Sequence, residues 1–124
     1  MTRGAEDAGE KSAGARPSRF LLIVNDKSGR RDRSREVLRL FHRAGTEPSM
    51  VSVGTLRDRR TKGIDPTAVD DLAKRCRDEG IARVVVAGGD GSIAPAAWVA
   101  LRATLPLAIV PTGTANSLAR WLGL

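Results

Sequence analysis

One cysteine, one histidine, no tyrosine and only two phenylalanines and two tryptophans are present among the 124 residues. A single thiol, Cys76, excludes an internal disulfide and a cysteine-based metal cluster. Its place on the apolar face of a predicted helix reads as a small buried thiol. No metal-ligand set is legible elsewhere. His42, between Phe41 and Arg43, reads as a surface or boundary residue rather than a catalytic one. With so few aromatics, and with Phe20 and Phe41 at core positions, base-stacking aromatics are nearly absent, so no nucleic-acid partner is expected. No apolar run approaches the roughly 18 residues of a membrane span, and no secretory h-region opens the chain, so the expected location is cytoplasmic. The GxxxxGK[ST] phosphate loop and the GxGxxG dinucleotide fingerprint are both missing, which argues against a P-loop protein and a Rossmann oxidoreductase.

What is abundant is positive charge and small aliphatic residues. Lys and Arg number 21 against 14 Asp and Glu, a formal net charge of +7. The first nineteen residues carry only one unit of that excess, so the rest of the chain is itself basic and suited to anionic partners such as nucleotides or lipid headgroups. Residues 1–18 are small, polar and without periodicity, as in a disordered tail; a single domain is expected over 19–124.

Along that domain, strands and helices alternate. RFLLIVN, residues 19–25, is a continuous apolar run of the buried parallel-strand kind. Val37, Leu38, Leu40, Phe41 and Ala44 fit one face of a helix that Gly45 would end. Met50, Val51 and Val53 suggest a weaker strand, and Arg57–Asp65 a basic loop with no apolar anchor. Pro66 opens a second helix through Val69, Leu72, Ala73 and Cys76, and Gly80 closes it. Strands at 82–87 and 105–110 flank a third helix, which Ser92 would cap with Pro95 in its first turn; a fourth begins at Ala115. The order βαβαβαβα predicts a three-layer α/β/α fold with a mainly parallel sheet, whose ligand site lies at the carboxyl ends of its strands.

Three small-residue turns fall at such ends: NDKSG after the first strand, GGDGS after the third and PTGTAN after the fourth. Gly88, Gly89 and Gly91 would let a phosphate approach the backbone, and Ser92 would offer a hydroxyl and an N–H. Asp90, a carboxylate among phosphates, makes sense if it meets Mg2+ or a substrate hydroxyl.

GGDGS followed by PTGTANSLAR, with the Asn-led NDKSG turn ahead of both, resembles the diacylglycerol kinase catalytic domain, a family that includes bacterial lipid kinases and sphingosine kinases. GGDG turns also occur in NAD kinases and phosphofructokinases, so PTGTANSLAR is what favours the lipid-kinase branch. The resemblance implies ATP and Mg2+ as cofactors and a lipid hydroxyl as acceptor. It also implies a cytoplasmic protein that works peripherally, at the inner face of a membrane. Asn25, Ser28 and Gly29 would then contact the nucleotide, and Gly89, Asp90, Gly91 and Ser92 would line its phosphates. Thr114 would donate to the nucleotide, Asn116 would shape the cleft, and Thr55, ahead of Thr61, would approach the adenosine. Asp90 would also stand near the lipid hydroxyl.

Some positions depart from the family pattern: Asp26-Lys27 for Pro-x, Ser92 for Thr, Ala94-Pro95 for Asn-Glu and Ser117 for Asp. The family's second, β-rich domain is not in this sequence, and ARWLGL reads as an interrupted helix. The chain, standing alone or truncated, is then expected to be weakly active by itself, with a homo-oligomer or a second domain supplied elsewhere as the expected partner. An NAD-kinase-like enzyme and a nucleotide-binding module without catalysis are the alternative readings.

Overall fold

In the computed structural model residues 19–25 and 33–110 are described, without the side chains of Arg33, Ser34 and Asp90. The elements are β1 (Phe20–Val24), α1 (Arg33–Arg43), β2 (Ser49–Ser52), a 3-10 helix (Val53–Leu56), α2 (Pro66–Glu79), β3 (Arg83–Ala87), α3 (Asp90–Ala103) and β4 (Leu107–Val110). The four strands form one parallel sheet in the order β2-β1-β3-β4. The expected three-layer α/β/α architecture is thus the observed one. The segments 1–18, 26–32 and 111–124, which hold the expected tail, the NDKSG turn beyond Asn25, PTGTAN and the fourth helix, lie outside the described residues.

Every residue of β1 is buried, because helices cover both faces of the sheet at its centre. Leu21 and Ile23 join Val84 and Val86 in a core completed by α2 and α3. Phe20, Leu22 and Val24 join Val85 in a second core with Val37, Leu40 and Phe41 of α1. There the rings of Phe20 and Phe41 meet edge to face at 5.2 Å. Cys76 is buried, and burial pushes its thiol pKa up, with Glu79 adding to the shift.

The helix ends follow local chemistry. Asp65 caps α2, accepting from the N–H groups of Thr67 and Ala68 at 3.0 and 3.3 Å, with Pro66 in the first turn. Gly45 ends α1 and Gly80 ends α2 in the left-handed region, where the Thr46 N–H bonds the Phe41 carbonyl and the Ile81 N–H bonds that of Cys76. α3 closes in the same way, but with Thr104 at φ 57° in the glycine position.

Three expectations need correction. Val53 is not in the second strand: the Ser52 hydroxyl accepts from the Gly54 N–H and turns the chain into the 3-10 helix. Segment 57–65 does have an apolar anchor, since Ile64 packs on the core and pairs with Arg57 in an isolated antiparallel bridge. The helix after GGDGS begins at Asp90 with Gly89 as its cap residue, so Ser92 is not the cap and Pro95 lies beyond the first turn.

Candidate functional site

β1 leads outward to β2 on one side, while the next strand, β3, pairs with β1 on the other. The carboxyl ends of β1 and β3 therefore flank a topological switch point, where connections leave to opposite faces, the place at which open α/β sheets bind their ligands. Asn25 follows β1 there, half-buried, and Gly88 follows β3 opposite it; a Cβ on Gly88 would stand 3.7 Å from that of Asn25.

The turn at Gly88 is tight. Its φ is 155°, its N–H bonds the Val110 carbonyl at 3.2 Å, and Ser92 fills the space beneath it. A Cβ at this position would stand 2.8 Å from the Ser92 Oγ. Gly89 is the reverse case: it is exposed, in extended backbone, and a Cβ there would meet nothing within 4 Å among the described residues. With no side chain at the cap position and no side-chain cap bond, the Asp90 and Gly91 amides have no acceptor within the helix, and such groups at a helix start are met by water or an anion.

Ser92 sits differently from a surface donor. Its N–H bonds the Gly89 carbonyl at 2.9 Å, and its hydroxyl is fully buried with no partner among the described residues. Asp90 is the first residue of α3, and Gly91, exposed, is the second. Thr55 lies on the 3-10 helix past β2, exposed, and donates its hydroxyl to the Ser52 carbonyl at 2.7 Å, which keeps the oxygen's lone pairs available. The parallel sheet thus brings Asn25, Thr55 and Gly88–Ser92 to one end. Ser28, Gly29, Thr114 and Asn116 lie outside the described residues.

Nothing in the sequence singles out Arg57. It follows the 3-10 helix, and its guanidinium donates through Nη1 to the Lys62 carbonyl at 3.0 Å and through Nη2 to the Gly91 carbonyl in the first turn of α3. The segment that carries it folds back on itself. Asp58 and Gly63 are joined by a backbone bond of 2.8 Å, and the Asp58 carboxylate accepts from the amides of Arg60 and Thr61. Arg59, Arg60 and Lys62 are exposed on this closed loop. Among the described residues there is no group of three or more His, Cys, Asp or Glu that could hold a metal by itself, and no helix long and apolar enough to cross a membrane.

The family model for the diacylglycerol kinase catalytic domain matches residues 19–124. No solved structure matches the chain.

Proposed function

This chain belongs to the diacylglycerol kinase catalytic domain family, a kinase and transferase family, and from that premise we propose that its rim binds ATP and passes the γ-phosphoryl group to a lipid hydroxyl. The observation that carries the proposal is the uncapped start of α3 at the switch point, with Gly89 open beside it. Backbone N–H groups and the positive end of a helix dipole suit phosphate oxygens, and the absence of a Cβ at Gly89 permits close approach.

In this reading the phosphates lie along Gly88–Ser92, Asn25 faces them from the end of β1, and Thr55 flanks the nucleoside from the β2 side. Ser28, Gly29, Thr114 and Asn116 complete the nucleotide contacts as the family pattern implies. The acceptor hydroxyl oxygen attacks the γ-phosphorus as the bond to the β-bridging oxygen breaks. ADP leaves, and the hydroxyl proton passes to a base, for which Asp90 is our candidate. A bound Mg2+ would neutralise charge on the phosphates. With Asp90 given to the hydroxyl proton, the shell of that ion would be made up chiefly of phosphate oxygens and water, as Mg2+ readily accepts. The protein's own part is positioning and charge neutralisation.

The lipid is met at a surface. Exposed Arg59, Arg60 and Lys62 on the closed loop give a cluster attractive to anionic headgroups, at about 1 kcal/mol per cation near such a surface. Peripheral association of this kind weakens with salt.

Calorimetric titration of ADP into wild type and Gly89→Val tests the nucleotide site. A Cβ at position 89 meets no described atom within 4 Å, so valine is expected to cost only the cap preference, about 1 kcal/mol, and leave the protein folded, while its branched side chain overpacks the phosphates by about 1–3 kcal/mol. Equal ADP affinity in the two folded proteins would refute the site. Transfer of label from ATP to diacylglycerol in mixed micelles then tests the reaction.

A further inference from the structure

Pro95 lies inside α3 and is fully buried. Having no N–H, it cannot make the helical bond to the carbonyl four residues earlier, and its ring crowds that carbonyl. The carbonyl in question belongs to Gly91, in the middle of the proposed phosphate turn. A kinked or frayed first turn would be the ordinary outcome, yet α3 runs from Asp90 to Ala103 without a break.

The Gly91 carbonyl is met from outside the helix, by Arg57 Nη2, while Nη1 of the same group holds the Lys62 carbonyl at 3.0 Å. A guanidinium is a rigid planar fork that can hold two acceptors at once; an ammonium on a flexible stem fixes no such geometry. The fork joins two parts of the rim that the chain builds separately, the closed loop beyond β2 and the turn beyond β3. It also lies alongside the turn, since a Cβ on Gly91 would stand 3.6 Å from Nη2.

We propose that Arg57 is the positioning residue of the Gly88–Ser92 turn: it replaces the helix hydrogen bond that Pro95 removes and locks the first turn of α3 to the loop 57–64. Its effect on nucleotide binding rests on the reading of the rim given above; the lock itself does not. Arg57 acts through the Gly91 carbonyl, so its importance depends on the residue at 95. That dependence separates it from a cation that merely attracts phosphate.

A double-mutant cycle between the two positions is the test. Pro95→Ala supplies an N–H that can bond Gly91 within the helix, making the guanidinium redundant. Amide hydrogen exchange on the nucleotide-free protein reads the lock. Arg57→Ala is expected to speed exchange at Ser92, Ile93 and Ala94 by about tenfold or more, the scale of one lost charge-assisted hydrogen bond. In the Pro95→Ala background the same change is expected to leave those amides within about twofold. ADP affinity reads the consequence: a loss of about tenfold for Arg57→Ala when Pro95 is present, and about threefold or less in the Pro95→Ala background. Arg57→Lys, which keeps the charge but loses the fork, is expected to follow Arg57→Ala when Pro95 is present. Thermal midpoints report any global unfolding separately.

Equal ADP losses in both backgrounds, or full rescue by lysine, would make Arg57 a simple charge and overturn the proposal. Unchanged exchange in Arg57→Ala with Pro95 in place would overturn it as well. Should wild type bind no ADP, the nucleotide reading falls, and the exchange cycle alone decides whether the lock exists.

Discussion

Gly88→Ala is the most demanding single change the turn can be given. The added Cβ would stand 2.8 Å from the Ser92 Oγ and 3.1 Å from its Cβ, both closer than ordinary packing allows. The turn cannot readily swing aside, because the Gly88 N–H is tied to Val110 at the end of β4 and Ser92 is enclosed in the core. Overpacking of this kind costs about 1–3 kcal/mol. Holding alanine at φ 155°, a conformation open mainly to glycine, adds about 1–3 kcal/mol. A total of about 2–6 kcal/mol is a large share of the stability of a domain this size, and thermal unfolding followed by far-ultraviolet circular dichroism should show a midpoint lower by about 10 °C or more. Ser92→Ala sharpens the test. Its hydroxyl is buried without a partner among the described residues, so its removal is expected to be neutral or mildly stabilising by itself. It also deletes the 2.8 Å contact, so the double variant should recover about 1 kcal/mol or more of the loss; the 3.1 Å contact and the backbone strain persist. A Gly88→Ala protein melting within about 2 °C of wild type would refute this account of the turn.

Two further outcomes concern parts of the fold remote from the rim. Thr104 holds a left-handed conformation at the end of α3, which costs a β-branched residue about 1 kcal/mol, so Thr104→Gly should raise the urea midpoint despite the entropy a glycine adds to the unfolded chain; a lower midpoint would contradict it. The Glu79 carboxyl is held below its ordinary range, chiefly by the side-chain hydrogen bond from Arg75 at 2.9 Å, with help from the Ser49 hydroxyl and the Arg19 charge. A lowered folded value means that the stabilisation is complete above the ordinary glutamate pKa and is lost as pH falls through the folded one. Urea midpoints taken from about pH 6 to about pH 3 should therefore drop less steeply in Glu79→Gln than in wild type, and parallel curves would exclude a role for this carboxylate.

Much of the layout is readable from sequence because its causes are local. FLLIV declares a strand covered on both faces, since no alternation of polar residues is needed where helices lie above and below. Asp65-Pro66 and the glycines at 45 and 80 mark helix ends because cap bonds and left-handed backbone are decided within a few residues. Parallel order then brings Asn25, Thr55 and Gly88–Ser92 to one end of the sheet without further information. Val53 is harder to read. Met50, Val51 and Val53 look like a continuing strand, and what ends it is one hydroxyl, that of Ser52, bonding the Gly54 amide. Ile64 carries no signal at all, as a single apolar residue in a charged segment has no periodicity to reveal which side it buries.

The misplaced start of α3 and the unforeseen role of Arg57 have one physical origin. A proline is tolerated in the first turn of a helix because the N–H it lacks would have had no partner there, and that rule, applied to Pro95, moves the expected start to Ser92. The rule assumes that a helix must satisfy its own carbonyls. Here the freed carbonyl of Gly91 is met by a residue 34 positions earlier, so the helix can begin at Asp90 and keep the proline inside. Neither half of this arrangement is visible alone: Pro95 reads as a late helix start, and Arg57 as one more cation in a basic loop. Only the parallel sheet, by setting the segment after β2 beside the turn after β3, makes the two residues partners. It follows that the GGDGS turn of this chain is not a self-contained motif. Its geometry is shared with a loop that sequence spacing treats as a separate surface feature, and substitutions in that loop should reach the turn without touching any of its glycines.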